Sequence, residues 1–313
     1  MNNQYNYQQT QTPRKESKFL SFLKGIGYFV IYLAITNIVA SAIVMLFYSF
    51  PKALEFTSGT GEVTQESFET FYEEILTGTT EYLNKNAMAI TLVANLFVIG
   101  IFALIFKLRN NRTPNITENK YIFRKPELSK ALIALIAGIT LNFAVNPLLN
   151  IVLMFLPEDA LASYLAQTEL YSNGGLVVFI IGGIILAPIA EEFVLRGAVT
   201  SRFGRAMNPH IAILLSSAMF GLMHGNVVQF FYTFPLGLIL GYVFRRNGLF
   251  VSIILHFGFN LASLPVMVLE EYFPKVYNSD AFAYAYRITS YIMIPAAGLL
   301  LFFLLRKKKV IEE

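Results

Sequence analysis

Residues Gly175–Gly197 read GLVVFIIGGIILAPIAEEFVLRG. From Gly175 to Ala190 the stretch carries no charge. An uncharged apolar run of this kind predicts a membrane-crossing helix, which needs about 20 residues to traverse a hydrocarbon core of roughly 30 Å. The run ends in Glu191, Glu192 and, one helical turn later, Arg196. Ionisable groups at membrane depth cost about 2.5–3.5 kcal/mol each on insertion scales and are kept where they do something. One segment therefore predicts both a membrane fold and a candidate site.

The rest of the chain repeats the first half of that pattern. Eight apolar runs are predicted as spans, approximately Gly25–Phe50, Ala87–Phe106, Ala131–Leu156, Gly175–Ala190 with a helical continuation, Ala212–His224, Val227–Phe244, Leu249–Leu269 and Ile288–Leu305. The 313 residues are 55% hydrophobic and only 14% charged, against roughly 25% charged in a soluble domain. The fold class expected is all-α, a polytopic transmembrane helical bundle of about eight spans. Disordered, collagen-like and disulfide-scaffold classes are excluded, and the absence of cysteine removes any thiolate metal site.

The placement of charge predicts sidedness, because short loops rich in Lys and Arg stay cytoplasmic. Twenty of the 24 basic residues fall in the two termini and in every second loop; only Lys52, Lys85, Lys275 and Arg287 lie in the others. Both termini are therefore expected in the cytoplasm, with the chain multi-pass in the plasma membrane. The sequence pI near 9.0 then reports topology, and nucleic acid is not an expected partner; the lipid bilayer is. Residues 1–24 are expected to be a disordered polar and basic tail, 25–305 the membrane domain and 306–313 a second basic tail. Ala40-Ser41-Ala42 resembles a signal-peptidase site, but apolar residues continue from Ile43 to Phe50, which favours a retained span. The acidic outer loop, 51–86, holds seven glutamates and an amphipathic pattern at Phe68, Phe71, Tyr72, Ile75 and Leu76. It predicts a surface helix packed on the membrane domain or lying at its interface, with a substrate-capturing lid as the alternative. No internal repeat of the transporter kind is visible.

Within the spans the ionisable residues are few. Glu192 and Arg196 stand at i, i+4 with the acid first, the favourable order for an ion pair. Glu191 lies about 100° around the helix, which leaves it free to face a cavity; the plainer alternative is that both acids only snorkel to the headgroups. Two of the three histidines, His224 and His256, lie in apolar helical sequence, and Asn260 follows His256 by one turn. A desolvated carboxylate can serve as general base, imidazoles can bind metal or polarise water, and an amide can donate to an oxyanion. Gly197, Gly221, Gly225 and Gly258 would let the helices approach closely. His210 is assigned no role.

These residues carry a resemblance. Glu191-Glu192-Phe193-Val194-Leu195-Arg196 matches EExxxR, Phe220 to His224 matches FxxxH, and His256 to Asn260 matches HxxxN, in the order found in the CPBP family of intramembrane proteases, which includes the type II CAAX prenyl endopeptidases and the bacterial Abi proteins. The resemblance covers about 131–269, the motif-bearing core. It implies an endopeptidase for membrane-associated protein or peptide substrates, working in a cavity open to the cytoplasm or the bilayer. Prenylated substrates would suit one kind of host and leader or signalling peptides another. In its terms Glu191 activates water with help from His224, while His256 and Asn260 polarise the carbonyl or stabilise the oxyanion. Glu192, Arg196 and Phe220 support them. It leaves open whether Zn²⁺ is held by His224, His256 and Glu191 or whether Glu191 works alone as a base. A bacteriocin-immunity protein, proteolytic or not, and a proton-coupled transporter remain the alternatives. At 1.5 Å per residue, Glu191 lies about 21 Å from Arg205 and His256 about 10 Å from the helix start near Asn247. Either the segment from Gly197 to Asn208 bends along the membrane surface or the helices tilt and start at different levels; a break or bend near Gly204 is expected, together with a meeting of the three motifs within a few ångströms.

Overall fold

The computed structural model describes residues 16–59, 62–112, 117–172 and 174–306, and among these all regular structure is helical. The polar leader and most of the basic carboxy-terminal tail lie outside the described residues. In chain order the helices are α1 (Lys18–Ser58), α2 (Gln65–Arg112), α3 (Thr117–Ile122), α4 (Leu128–Leu153), α5 (Glu158–Ser172), α6 (Leu176–Ala206), α7 (Pro209–Leu222), α8 (Val227–Asn247), α9 (Leu249–Tyr272, with a turn at 262–263), α10 (Pro274–Tyr277) and α11 (Asp280–Leu305). Seven of them, α1, α2, α4, α6, α8, α9 and α11, are long and apolar enough to cross a membrane, and α7 is a shorter apolar helix. The expected eight spans thus become seven full-length ones and a short one.

Three boundaries differ from expectation, each for a local reason. Helix α1 begins at Lys18, inside the segment expected to be disordered, because Ser17 caps it by accepting from the Leu20 amide at 3.1 Å. Glu16 pins the same end through Lys24 at 3.2 Å and, across to α6, through Arg202 at 3.0 Å. Although burial pushes its carboxyl up, Arg202, Lys24 and Arg205 together hold Glu16 below the usual carboxylate value. Helix α6 runs unbroken through Gly204 to Ala206, and the chain leaves it only at Met207, whose backbone is extended. Asn208 then caps α7 by accepting from the His210 amide at 2.8 Å, with Pro209 at the first helical position, where its missing N–H costs nothing.

The third difference concerns the acidic outer segment, which is no separate surface helix. Its amphipathic stretch is the amino-terminal part of α2, continuous with the second span, and pairs with the end of α1 as a two-helix extension. Phe56 stacks on Phe71 with centroids 4.3 Å apart, Tyr48 packs on Tyr82, and Lys52 bridges Glu74 at 2.8 Å.

Around the bundle, large apolar side chains such as Phe97, Leu104, Ile136, Leu148, Ile181, Ile292 and Phe302 are exposed, a surface that lipid satisfies and water would not. Helices α8 and α9 are the most buried spans and α1 and α11 the least. The centre is built from α6, α8 and α9, where Leu195, Val199, Leu240, Phe244 and Leu255 are buried together. Helix α4 is pressed against α9 backbone to backbone. A Cβ on Gly138 would stand 2.0 Å from the Leu255 carbonyl oxygen, and one on Gly258 would stand 2.4 Å from that of Leu135. Only glycines permit this approach, and it sets which face of α9 turns toward α6.

Candidate active site

The two glutamates sit in one α-helical turn, Ala187–Glu192, between two π-helical stretches of α6, Ile180–Leu186 and Phe193–Thr200. Such widened turns recur at functional sites because they re-aim side chains without ending the helix. Side-chain hydroxyls there also reach the carbonyl five residues back, Thr200 donating to Leu195 at 2.7 Å and Ser201 to Arg196 at 3.0 Å.

Glu192 is fully enclosed, and three donors surround it. Arg196 Nη1 lies 2.7 Å from its Oε1, Ser252 Oγ donates to Oε2 at 2.6 Å, and His256 Nδ1 stands 3.2 Å from Oε1. Ser252 donates to it, and Arg196 sets the opposite charge against it at ion-pair distance. Arg196, also buried, donates from Nη2 to the Gly237 carbonyl at 3.1 Å and lies over the Phe220 ring with its Cζ 4.9 Å from the centroid. The i, i+4 pair read from sequence is present, and it ties α6 to α8 and α9. Headgroup snorkelling is ruled out for Glu192 by its burial.

Glu191 points the other way. With 15% of its side chain exposed, it lines a cavity of about 890 Å³ together with Phe220, His224, His256 and Asn260. Glu191 Oε2 faces His256 Nε2 at 3.6 Å. His256 therefore stands between the two glutamates, Nδ1 toward the buried one and Nε2 toward the one on the cavity. It is His256, not His224, that the fold sets beside Glu191. His224 follows the end of α7 just before Gly225, whose φ of +67° turns the chain into α8. Its Nδ1 is 2.7 Å from the Phe220 carbonyl, so that nitrogen donates, and in the neutral ring Nε2 is an acceptor. Phe220 meets both imidazoles edge-on, with centroids 5.0 Å from His224 and 5.5 Å from His256. Asn260 donates one amide hydrogen to the Gly183 carbonyl at 2.9 Å, leaving the other for a ligand.

Both histidines have Nδ1 engaged by an oxygen acceptor, the outer-shell pattern that also orients metal-binding imidazoles. Catalytic zinc, however, takes three protein ligands, and among the described residues no group of three His, Cys, Asp or Glu side chains is gathered closely enough to hold a metal ion. The donor types suit zinc, but their spacing does not.

Several polar residues of the site were missed in the sequence. Ser252 precedes His256 by one turn and so shares a face with His256 and Asn260, a spacing that could have revealed it. Gln229 and Thr233 make a similar pair on α8 and line the cavity. The Gly183 carbonyl has no sequence signal at all, being a backbone group brought near by packing.

Residues 173–262 match the family model described as type II CAAX prenyl endopeptidase Rce1-like, and the match contains all three motifs. A protein of Mycoplasma capricolum subsp. capricolum, described as uncharacterized, is 25% identical over 183 residues, which is 56% of this chain and 54% of that one. The chain thus spans about half the length of the curated relative it matches. No solved structure matches it. With its seven apolar helices and this Rce1-like segment, the chain is a multi-pass integral membrane protein.

Proposed function

We propose that this protein is an intramembrane endopeptidase for membrane-associated protein or peptide substrates, with a water held between Glu191 and His256 as the nucleophile. The observation that carries the reading is the 3.6 Å gap between Glu191 Oε2 and His256 Nε2 on the cavity wall. That gap is too long for a direct hydrogen bond, and a water seated beside the pair, on the cavity side, can touch both atoms. Glu192, held by Arg196 and Ser252, acts as a positioning residue that orients the His256 ring.

In the reaction, Glu191 takes a proton from the water as its oxygen bonds to the peptide carbonyl carbon and the carbonyl electrons pass to oxygen. The free amide hydrogen of Asn260 donates to that oxyanion, and such donors act strongly where water is excluded. His224 Nε2 accepts from a substrate backbone N–H. Glu191 then returns its proton to the amide nitrogen as the C–N bond breaks, giving a carboxylic acid and an amine. Zinc on His224, His256 and Glu191 is the alternative chemistry. Among the described residues no three of these side chains are gathered closely enough to hold a metal ion, and the reaction proposed here uses side chains alone. The charge pattern supports an orientation with both termini in the cytoplasm of a plasma-membrane protein.

The test is incubation of purified wild-type and Glu191→Ala proteins with a prenylated peptide and a panel of peptide precursors, read by mass spectrometry. Cleavage by the wild type alone is expected. Equal products from both proteins, or none from either, would overturn the proposal.

A further inference from the structure

The cavity has a charge of its own. Its described lining includes three carboxylates, Glu191, Glu270 and Glu271, and no lysine or arginine. Glu270 and Glu271 are exposed on the last turn of α9, at the end of that helix away from Arg245 and Arg246. A substrate carboxylate entering there meets no cation, whereas a basic side chain meets acid from the outer end of the cavity to Glu191. The surrounding loops add to this field, since 13 of the 20 acids and only four of the 24 basic residues lie on the same side of the predicted spans, and such asymmetry steers oppositely charged ligands.

A second feature points to the backbone of the ligand. Gln229 is 4% exposed and lines the cavity, and its Oε1 has no hydrogen-bond partner within the protein. Its main chain is pinned on both sides, since its amide donates to Asn226 Oδ1 at 3.3 Å and its carbonyl accepts from Thr233 Oγ1 at 2.8 Å. A buried carbonyl oxygen left without a donor is costly and uncommon. That oxygen is enclosed in this structure, and a turn of the side-chain amide at the cavity wall brings it to a peptide N–H.

We propose that the cavity takes a cationic peptide segment in extended form from the acidic face, with Gln229 holding its backbone and Glu270 and Glu271 its basic side chains. This names the substrate class of the endopeptidase site and rests on that reading. Recognition then depends on internal basic residues and not on a free carboxy terminus.

The experiment uses the full-length Glu191→Ala protein in phosphatidylcholine nanodiscs, so that binding is read without turnover. Two amidated, neutral-dye-labelled 12-residue peptides of one apolar sequence, carrying three lysines or three glutamates, are titrated by fluorescence anisotropy. The lysine peptide should bind at least tenfold more tightly at low salt, and Glu270→Gln with Glu271→Gln should remove most of that preference. Gln229→Leu should weaken both peptides equally and leave their ratio unchanged. Equal binding of the two peptides, a preference that survives the double substitution, or an unaffected Gln229→Leu protein would overturn the proposal. Charge-selective binding without cleavage by the wild type would refute the endopeptidase reading alone, so the two failures are distinct.

Discussion

Adjacent glutamates with opposite surroundings should respond in opposite ways to the same substitution. In Glu192→Gln an amide replaces a carboxylate that pairs with Arg196 Nη1 at 2.7 Å, accepts from Ser252 at 2.6 Å and faces His256 Nδ1 at 3.2 Å. The new NH₂ must face at least one of those donors, and the buried guanidinium of Arg196 loses its counter-charge. Breaking a fully buried pair by removing one partner costs about 3–5 kcal/mol, because the remaining charge stays desolvated. At roughly 2–4 °C per kcal/mol for chains of some 150–250 residues, the unfolding midpoint should fall by about 10 °C. Glu191→Gln removes no close partner, His256 standing 3.6 Å away, and should shift the midpoint by less than about 2 °C while abolishing cleavage. Thermal unfolding of wild type and both variants in one detergent, followed by tryptophan-independent dye or light-scattering readouts, makes the comparison. Glu192→Leu with Arg196→Met should cost less than Glu192→Gln alone, since removing both charges leaves none unpaired. Equal destabilisation by the two Glu→Gln substitutions, or a double variant that costs the sum of its single ones, would refute the division of labour between them.

Three further outcomes are expected. A chelator such as 1,10-phenanthroline should leave cleavage unchanged and purified protein should hold far less than one zinc per chain by mass spectrometry; stoichiometric zinc with chelator-sensitive activity would restore the metal mechanism. Gly258→Ala forces a Cβ to within 2.4 Å of the Leu135 carbonyl oxygen and should destabilise the fold by about 1–3 kcal/mol or more, whereas Gly204→Ala, with nothing within 4 Å, should be neutral or stabilising by up to about 1 kcal/mol in thermal unfolding. Because the Glu16 carboxyl is held below its ordinary value of 4.5, its contribution to docking the start of α1 is present above that value and is lost as pH falls through the lowered one; hydrogen exchange at residues 18–24 should rise on acidification in wild type and be high and pH-insensitive in Glu16→Gln, once corrected for intrinsic exchange.

Much of the site was legible because its elements are local. The EExxxR spacing predicts an ion pair at one helical turn, and Glu192 and Arg196 make it; the angular offset of Glu191 predicts a side chain on another face, and that face is the cavity. The motif residues His224, His256 and Asn260 also line that cavity. The partnership of His256 with both glutamates was not legible, because it depends on which faces of α6 and α9 meet. Nor was the union of the acidic outer segment with the second span, since its composition changes from charged to apolar along one unbroken helix.

The sequence alone determined the physical class of this protein: uncharged runs of membrane length demand helices whose backbone is satisfied internally, and an acid four residues before a base in such a run demands a pair. Tertiary structure decided what the remaining polar groups do. Gly138 and Gly258 bring α4 onto α9 closely enough to turn His256 and Ser252 toward Glu192, while Glu191, one residue earlier, is left facing the cavity with Gln229 across a different helix. Contacts of that kind join residues scores of positions apart and have no period along the chain, so only packing of the helices could reveal them.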